Sequence, residues 1–204
     1  MIGTDPYCRR SRRHRRALAR LRRLPAAQSG VAAIEFAMVL PVMVLPVMLL
    51  MYLGMSEVTV GVNMDRKLTI LSRTLADLTG RMSSVSNAEI DAIFGAGLTV
   101  LSPYRIEDVK MRISSVVVTE VDGVAQARVC WSDARNMTPR PADQAIAVPE
   151  SFEATGTSFI LAEVEKTYVP MIGHAITGNI DLRGETPWPV RNIAEVQRAG
   201  TSCL

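Results

Sequence analysis

The sequence predicts an α+β protein: one long N-terminal helix, its first part inside a membrane, followed by a small antiparallel sheet. Three features predict it. Residues 36–55 form an uncharged apolar run. Met64, Leu68, Leu71, Leu75 and Leu78 continue a helical period beyond that run, at spacings of four and three. After Pro103 the period falls to two, and Asp122-Gly123 marks a tight hairpin turn.

The chain opens on charge. Residues 1–30 hold nine of the 23 basic residues, all arginine, and one acid, Asp5; the other residues carry 14 basic against 19 acidic side chains. The basic balance therefore belongs to the first segment. An arginine cluster suits nucleic acid, but here no aromatic is interleaved and no nucleic-acid fold follows. Directly before an apolar stretch, such charges hold an N-terminus in the cytoplasm. No nucleic-acid partner is expected.

The run FAMVLPVMVLPVMLLMYLGM, Phe36 to Met55, is 20 residues long and uncharged. At ~1.5 Å per residue it crosses a hydrocarbon layer of about 30 Å. A cleaved signal peptide has a shorter apolar core, about 7–15 residues, and a small-x-small cleavage site. Leu-Gly-Met-Ser-Glu matches that poorly, so the segment is expected to stay in the bilayer as a lipid-embedded anchor. Pro41 and Pro46 are tolerable there when neighbours satisfy the freed carbonyls. Met38, Met43, Met48, Met51 and Met55 suit adaptable packing, not metal binding.

One charge stands at the inner edge of this run, in Gly30-Val31-Ala32-Ala33-Ile34-Glu35-Phe36. A carboxylate at membrane depth is costly and points to function; at the headgroup level it costs little. Glycine, four apolar residues, glutamate and an aromatic, after a basic stub, resemble the processing site of Flp-type pilins and pseudopilins. The wider run GVAAIEFAMVLP, with Gly54-Met55-Ser56-Glu57, is similar to the TadE/TadG-like pilus assembly family over residues 29–57, and TadE-like suits the chain length better. The resemblance implies cleavage by a prepilin peptidase between Gly30 and Val31, which makes Glu35 the fifth mature residue. It implies that Glu35 and Phe36 serve recognition and assembly with other pilins and Tad components. It also implies a pilin-like domain built on the helix, with a bacterial inner-membrane location and the cell surface as destination for a subunit built into a pilus.

The expected divisions are a basic cytoplasmic leader at 1–30, a TadE-like transmembrane segment at 31–57, a helix extension at 58–80 and a periplasmic α+β domain at 81–204. The leucine stripe of the extension suits packing on the chain's own sheet, or against neighbouring subunits, with Gly80 at the C′ position. Ser83–Asn87 reads as a polar connection. Ser86 with Glu89 forms a capping box, opening a short helix that buries Ile90, Ile93 and Phe94 before Gly95. Val109, Met111 and Ile113 alternate with Lys110 and Arg112. Val116 and Val118 would share a face with Ala127, Val129 and Trp131, and joining that face to Val109–Ile113 requires a bulge near Ser114-Ser115. Residues 133–157 read as a loop, Phe159–Val169 and Ile180–Arg183 as strands, and the rest as irregular.

Motifs of catalysis are missing. There is no HExxH, CxxC, phosphate-binding glycine loop or GxSxG, and His174 is the only histidine beyond the apolar run. Neither an enzyme nor a cofactor is expected. The favoured reading is a membrane-anchored minor pilin or pseudopilin; the alternative is an unprocessed, signal-anchored periplasmic binding or sensor domain. In an oxidising periplasm Cys130 and Cys203 are expected to form a disulfide, with two unpaired thiols as the alternative, while Cys8 stays reduced or leaves with the leader. Alternation with Val129 and Trp131 puts Cys130 on the accessible face of its strand.

Overall fold

The computed structural model describes residues 29–171, 174, 178–191, 194–200, 202 and 203. The arginine cluster and Cys8 lie outside them. The chain forms two units, Met1–Tyr52 and Leu53–Leu204. Helix α1, Ser29–Gly80, begins in the first and ends in the second, and it contains both Pro41 and Pro46.

In the second unit the leucine stripe packs on the chain's own core. Leu68, Leu71 and Leu75 are fully buried, against Ile90, Ile93 and Phe94 and against one face of the sheet. At about 1.5–3 kcal/mol for each buried large side chain, this stripe is a principal source of cohesion. Helix α2, Asn87–Leu98, opens on the expected capping box: Ser86 caps Glu89 and the Glu89 carboxylate accepts the Ser86 amide at 2.7 Å. It does not stop at Gly95. The helix runs on to Leu98, and Gly97, which lacks a Cβ, lets Leu71 and Leu75 lie against its backbone.

Gly80 is not a left-handed cap. It is the last residue of α1 and is absent from the positive-φ glycines. Its small size serves a close approach instead, since a Cβ there would lie 3.2 Å from the Pro189 carbonyl.

Five antiparallel strands make a curled sheet in the order β4-β3-β2-β5-β6: β2 Lys110–Val121, β3 Val124–Arg135, β4 Ala145–Ile146, β5 Thr157–Tyr168 and β6 Ile180–Pro189. Asp122 (φ 55°) and Gly123 (φ 78°) turn β2 into β3, the two positive angles a primed hairpin turn requires. The register shifts between Ser115 and Val116, as expected, but the extra residue is Cys130 on β3: Ser115 faces Trp131 while Val116 faces Val129. β2 and β5 pair without a shift. The bulge therefore does not unite the two apolar sets. Met111, Ile113, Trp131, Ile160 and Val164 join the helix-side core, whereas Val116, Val118, Ala127, Phe159 and Leu161 form a second cluster on the other face. Phe152, from a 3₁₀ turn at Glu150–Phe152, covers that face with its ring 4.8 Å from Phe159.

The span 133–157 is thus not one loop, since it holds the end of β3, all of β4 and this turn. β6 extends to Pro189, past the expected Arg183. The connection after α1 and the C-terminal segment also pair, as strands β1, Ser84–Val85, and β7, Gln197–Arg198, parallel to each other.

The sheet meets the helix most closely at β6. A Cβ on Gly184 would lie 2.9 Å from the Leu68 carbonyl oxygen and 3.2 Å from the Thr69 nitrogen. Nearby, the Ser72 and Thr186 hydroxyls are 2.8 Å apart and the Trp188 indole N–H donates to Asp77 at 3.2 Å.

Candidate functional site

Gly30 and Val31 lie in the first turn of α1, and Glu35 follows Val31 by one helical turn, on nearly the same face. All are exposed, Val31 to 59% and Phe36 to 67%. A Cβ on Gly30 would touch nothing within 4 Å among the described residues, so packing against them gives no reason for glycine there. The most apolar window of the helix has a mean hydropathy of 2.4 and none of it is buried within the protein. A core helix would bury such side chains against its own domain. This one is long and apolar enough to cross a membrane, and its exposed surface is compatible with anchoring there.

A second cluster ties the C-terminal segment to the domain. The Trp131 indole N–H donates to the Val196 carbonyl at 2.7 Å. Arg198 pairs with Asp133 at 2.7 Å, donates to the Val85 carbonyl at 3.1 Å and reaches the Asn87 amide oxygen. Cys130 and Cys203, 73 residues apart, are joined by a disulfide with Cα atoms 5.8 Å apart. Cys130 is not on an open face: as the bulge residue it is half-buried against the helix-side core. Glu195 is only 5% exposed, and its carboxylate accepts the Cys203 amide at 3.0 Å and the Ser202 hydroxyl, which fixes the tail where its sulfur meets Cys130. A Glu195 oxygen lies within 4.8 Å of both sulfurs. Sulfurs held in a disulfide offer no thiolate for metal binding or nucleophilic attack.

A third cluster sits on the second face of the sheet. The Glu163 carboxylate is held by Arg112 through two contacts of 2.6 Å, and by Arg140 at 3.0 and 2.8 Å. Arg112 also donates to the Thr138 carbonyl at 3.1 Å. Burial pushes the Glu163 carboxyl up, but the hydrogen bonds and charges of the two guanidiniums outweigh it and hold the group below the usual range.

An apolar cleft of about 480 Å³ lies beside residues 54–65 of α1, bounded across from the helix by Tyr168, Pro170, Ile180 and Leu182. The Tyr168 hydroxyl donates to the Glu57 carbonyl at 3.5 Å; burial, then the negative charge of Glu57, pushes the phenol up. His174 is exposed.

Of the residues singled out in the sequence, the fold brings Cys130 and Cys203 together and puts Gly30, Val31, Glu35 and Phe36 on one exposed helical segment. Sequence reasoning missed Glu195, the Arg112–Glu163–Arg140 cluster and the cleft. A directly opposed Arg and Glu on adjacent strands was a usable signal for part of the second, once the register was known. Comparison with protein-family models, curated proteins and solved structures finds no match for this chain.

Proposed function

We propose that this chain is a membrane-anchored, TadE-like minor pilin or pseudopilin that acts in assembling a Flp/Tad-type pilus. In this reading a prepilin peptidase cuts between Gly30 and Val31 on the cytoplasmic side of an inner membrane, and the domain beyond residue 57 is periplasmic. The observation that carries it is the placement of the motif: glycine, four apolar residues and Glu35 open one uninterrupted helix, exposed and apolar at first and packed on an antiparallel sheet at its end. Gly30 packs against none of the described residues, so recognition by another protein supplies a reason for it.

Cleavage would leave an ammonium on Val31, one turn from the Glu35 carboxylate. In a low-dielectric layer an unpaired charge of either sign is costly, so the amine of one subunit and the Glu35 of a neighbour stabilise each other. The pairing would give the acid an assembly role.

Sequencing the N-terminus of membrane-extracted protein tests the reading. A chain beginning at Val31 supports it. A chain that keeps the arginine cluster refutes processing and leaves an anchored binding or sensor domain.

A further inference from the structure

We propose that the cleft beside residues 54–65 of α1 holds the acyl chain of a phospholipid whose headgroup carries an ammonium. The proposal rests on the membrane-anchored reading of α1. It concerns a different part of the molecule from the Gly30–Phe36 motif.

The cleft is apolar and continuous with the uncharged run. Gly54 belongs to both: it is the next-to-last residue of the run and the first in the cleft wall. Gly54 and Gly61 leave space where other residues would fill it, and Val58 and Val62 remain 62% exposed although the uncharged run has ended. Opposite stand the Tyr168 ring, Ile180 and Leu182. The volume, about 480 Å³, falls within the ~300–1,000 Å³ of small-molecule sites.

The chemistry selects among apolar occupants. An extended peptide brings amide donors and acceptors that must be satisfied. The polar residues in its lining are Glu57 and Asp65, whose carboxylates only accept, and Tyr168, whose hydroxyl already donates to the Glu57 carbonyl. A hydrocarbon chain has no such need. The two carboxylates attract an ammonium headgroup and repel a purely anionic one, and a tyrosine suits the boundary between hydrocarbon and water.

The test uses the full chain in vesicles of phosphatidylethanolamine and phosphatidylglycerol, with a photoactivatable group on the acyl chain of one lipid at a time. After illumination, labelled residues are mapped by peptide mass spectrometry. The expected result is labelling both within residues 36–55 and at Val58, Val62, Ile180 or Leu182, stronger from the ethanolamine lipid at the latter. Gly61→Leu and, separately, Gly54→Leu fill the cleft. Each should lose the second set of labels while keeping the first, with the Cys130–Cys203 bond intact as a check on folding. Labels confined to residues 36–55 in the unmodified chain overturn the proposal and leave the anchor standing. Cleft labels that persist in both filled variants, or that are as strong from the glycerol lipid, also overturn it. No labels in residues 36–55 refute the membrane reading itself.

Discussion

Replacing Gly184 by alanine tests how β6 is seated on α1. The new Cβ would lie 2.9 Å from the Leu68 oxygen, 3.0 Å from its carbonyl carbon and 3.2 Å from the Thr69 nitrogen, all backbone atoms. Relaxed contacts need about 3.5 Å, so strand and helix must part by roughly half an ångström along a packed seam. Overpacking of this kind costs about 1–3 kcal/mol. For a unit of this size each kcal/mol lowers Tm by about 2–4 °C, so Gly184→Ala should fall by roughly 2–12 °C. Two other glycines calibrate the result. At Gly95 a Cβ meets nothing within 4 Å, so Gly95→Ala gains the helix preference of alanine, about 1 kcal/mol, and should raise Tm by about 2–4 °C. At Gly97 the Cβ would lie 2.7 and 2.8 Å from methyls of Leu75 and Leu71 and 3.4 Å from the Leu75 Cγ; these side chains are buried but can shift, so overpacking offsets the gain in helix preference and Gly97→Ala should fall between the other two. Thermal unfolding in detergent, followed by the near-ultraviolet signals of the two tryptophans, ranks the three. A Gly184→Ala chain as stable as the parent, or a Gly95→Ala chain equally weakened, would refute the seam.

The remaining expectations concern the ion cluster, the strap and the motif. Glu163→Gln removes the one acid between Arg112 and Arg140 and should destabilise by about 3 kcal/mol near neutral pH. Because the folded carboxyl titrates below its ordinary value, the stabilisation is complete above the unfolded-state pKa of about 4.3 and is lost as pH falls through the lower folded value. The gap between parent and variant in urea unfolding should therefore close in acid; a gap unchanged by pH contradicts the assignment. Cys203→Ser reopens a 73-residue separation and should cost about 4 kcal/mol on the chain-entropy account, read as a lower Tm and faster amide exchange around Val196. Under the proposed function, Glu35→Ala should insert and be processed normally yet fail to co-purify with partner pilins, and normal co-purification would remove the amine-pairing role.

What the sequence made legible was whatever one element decides by itself. The apolar run, the leucine stripe, the Ser86–Glu89 box and the Asp122-Gly123 turn are each written in adjacent residues, and each forms. What escaped depends on partners far along the chain. Period two from Lys110 to Trp131 was read as one buried face, but the extra residue at Cys130 sends Val129 and Trp131 to opposite sides, and both faces of the sheet are covered. A strand buried on both sides keeps apolar residues at either parity, so alternation alone cannot number its faces. Glycine is a helix-ending signal at Gly80 and Gly95 by sequence alone, but Gly80 makes room for Pro189, and α2 runs through Gly95 to Leu98, with Gly97 seating Leu71 and Leu75. Arg140 lies in an irregular segment, and its partner Glu163 is 23 residues away, beyond the reach of local pattern.

The two prolines bear on whether the exposed half of α1 serves as an isolated anchor. Pro41 and Pro46 have no amide hydrogen, so the carbonyls four residues earlier, Ala37 and Val42, lose their helical donors. In water a solvent molecule would replace each bond. In hydrocarbon each orphaned carbonyl costs several kcal/mol unless another group reaches it. A lone anchor gains nothing from such positions, and leucine there would make a cheaper helix. A segment that ends among neighbouring helices can recover the loss, because hydroxyls and ordered water from those neighbours supply donors. Glu35 lies two residues before the first affected carbonyl, and under the proposed function its partner would belong to another subunit. The costly features of this helix fall between Glu35 and Pro46, where every residue is exposed. Under the proposed function, neighbouring subunits would cover them, whereas a simple tether would leave their cost unrelieved.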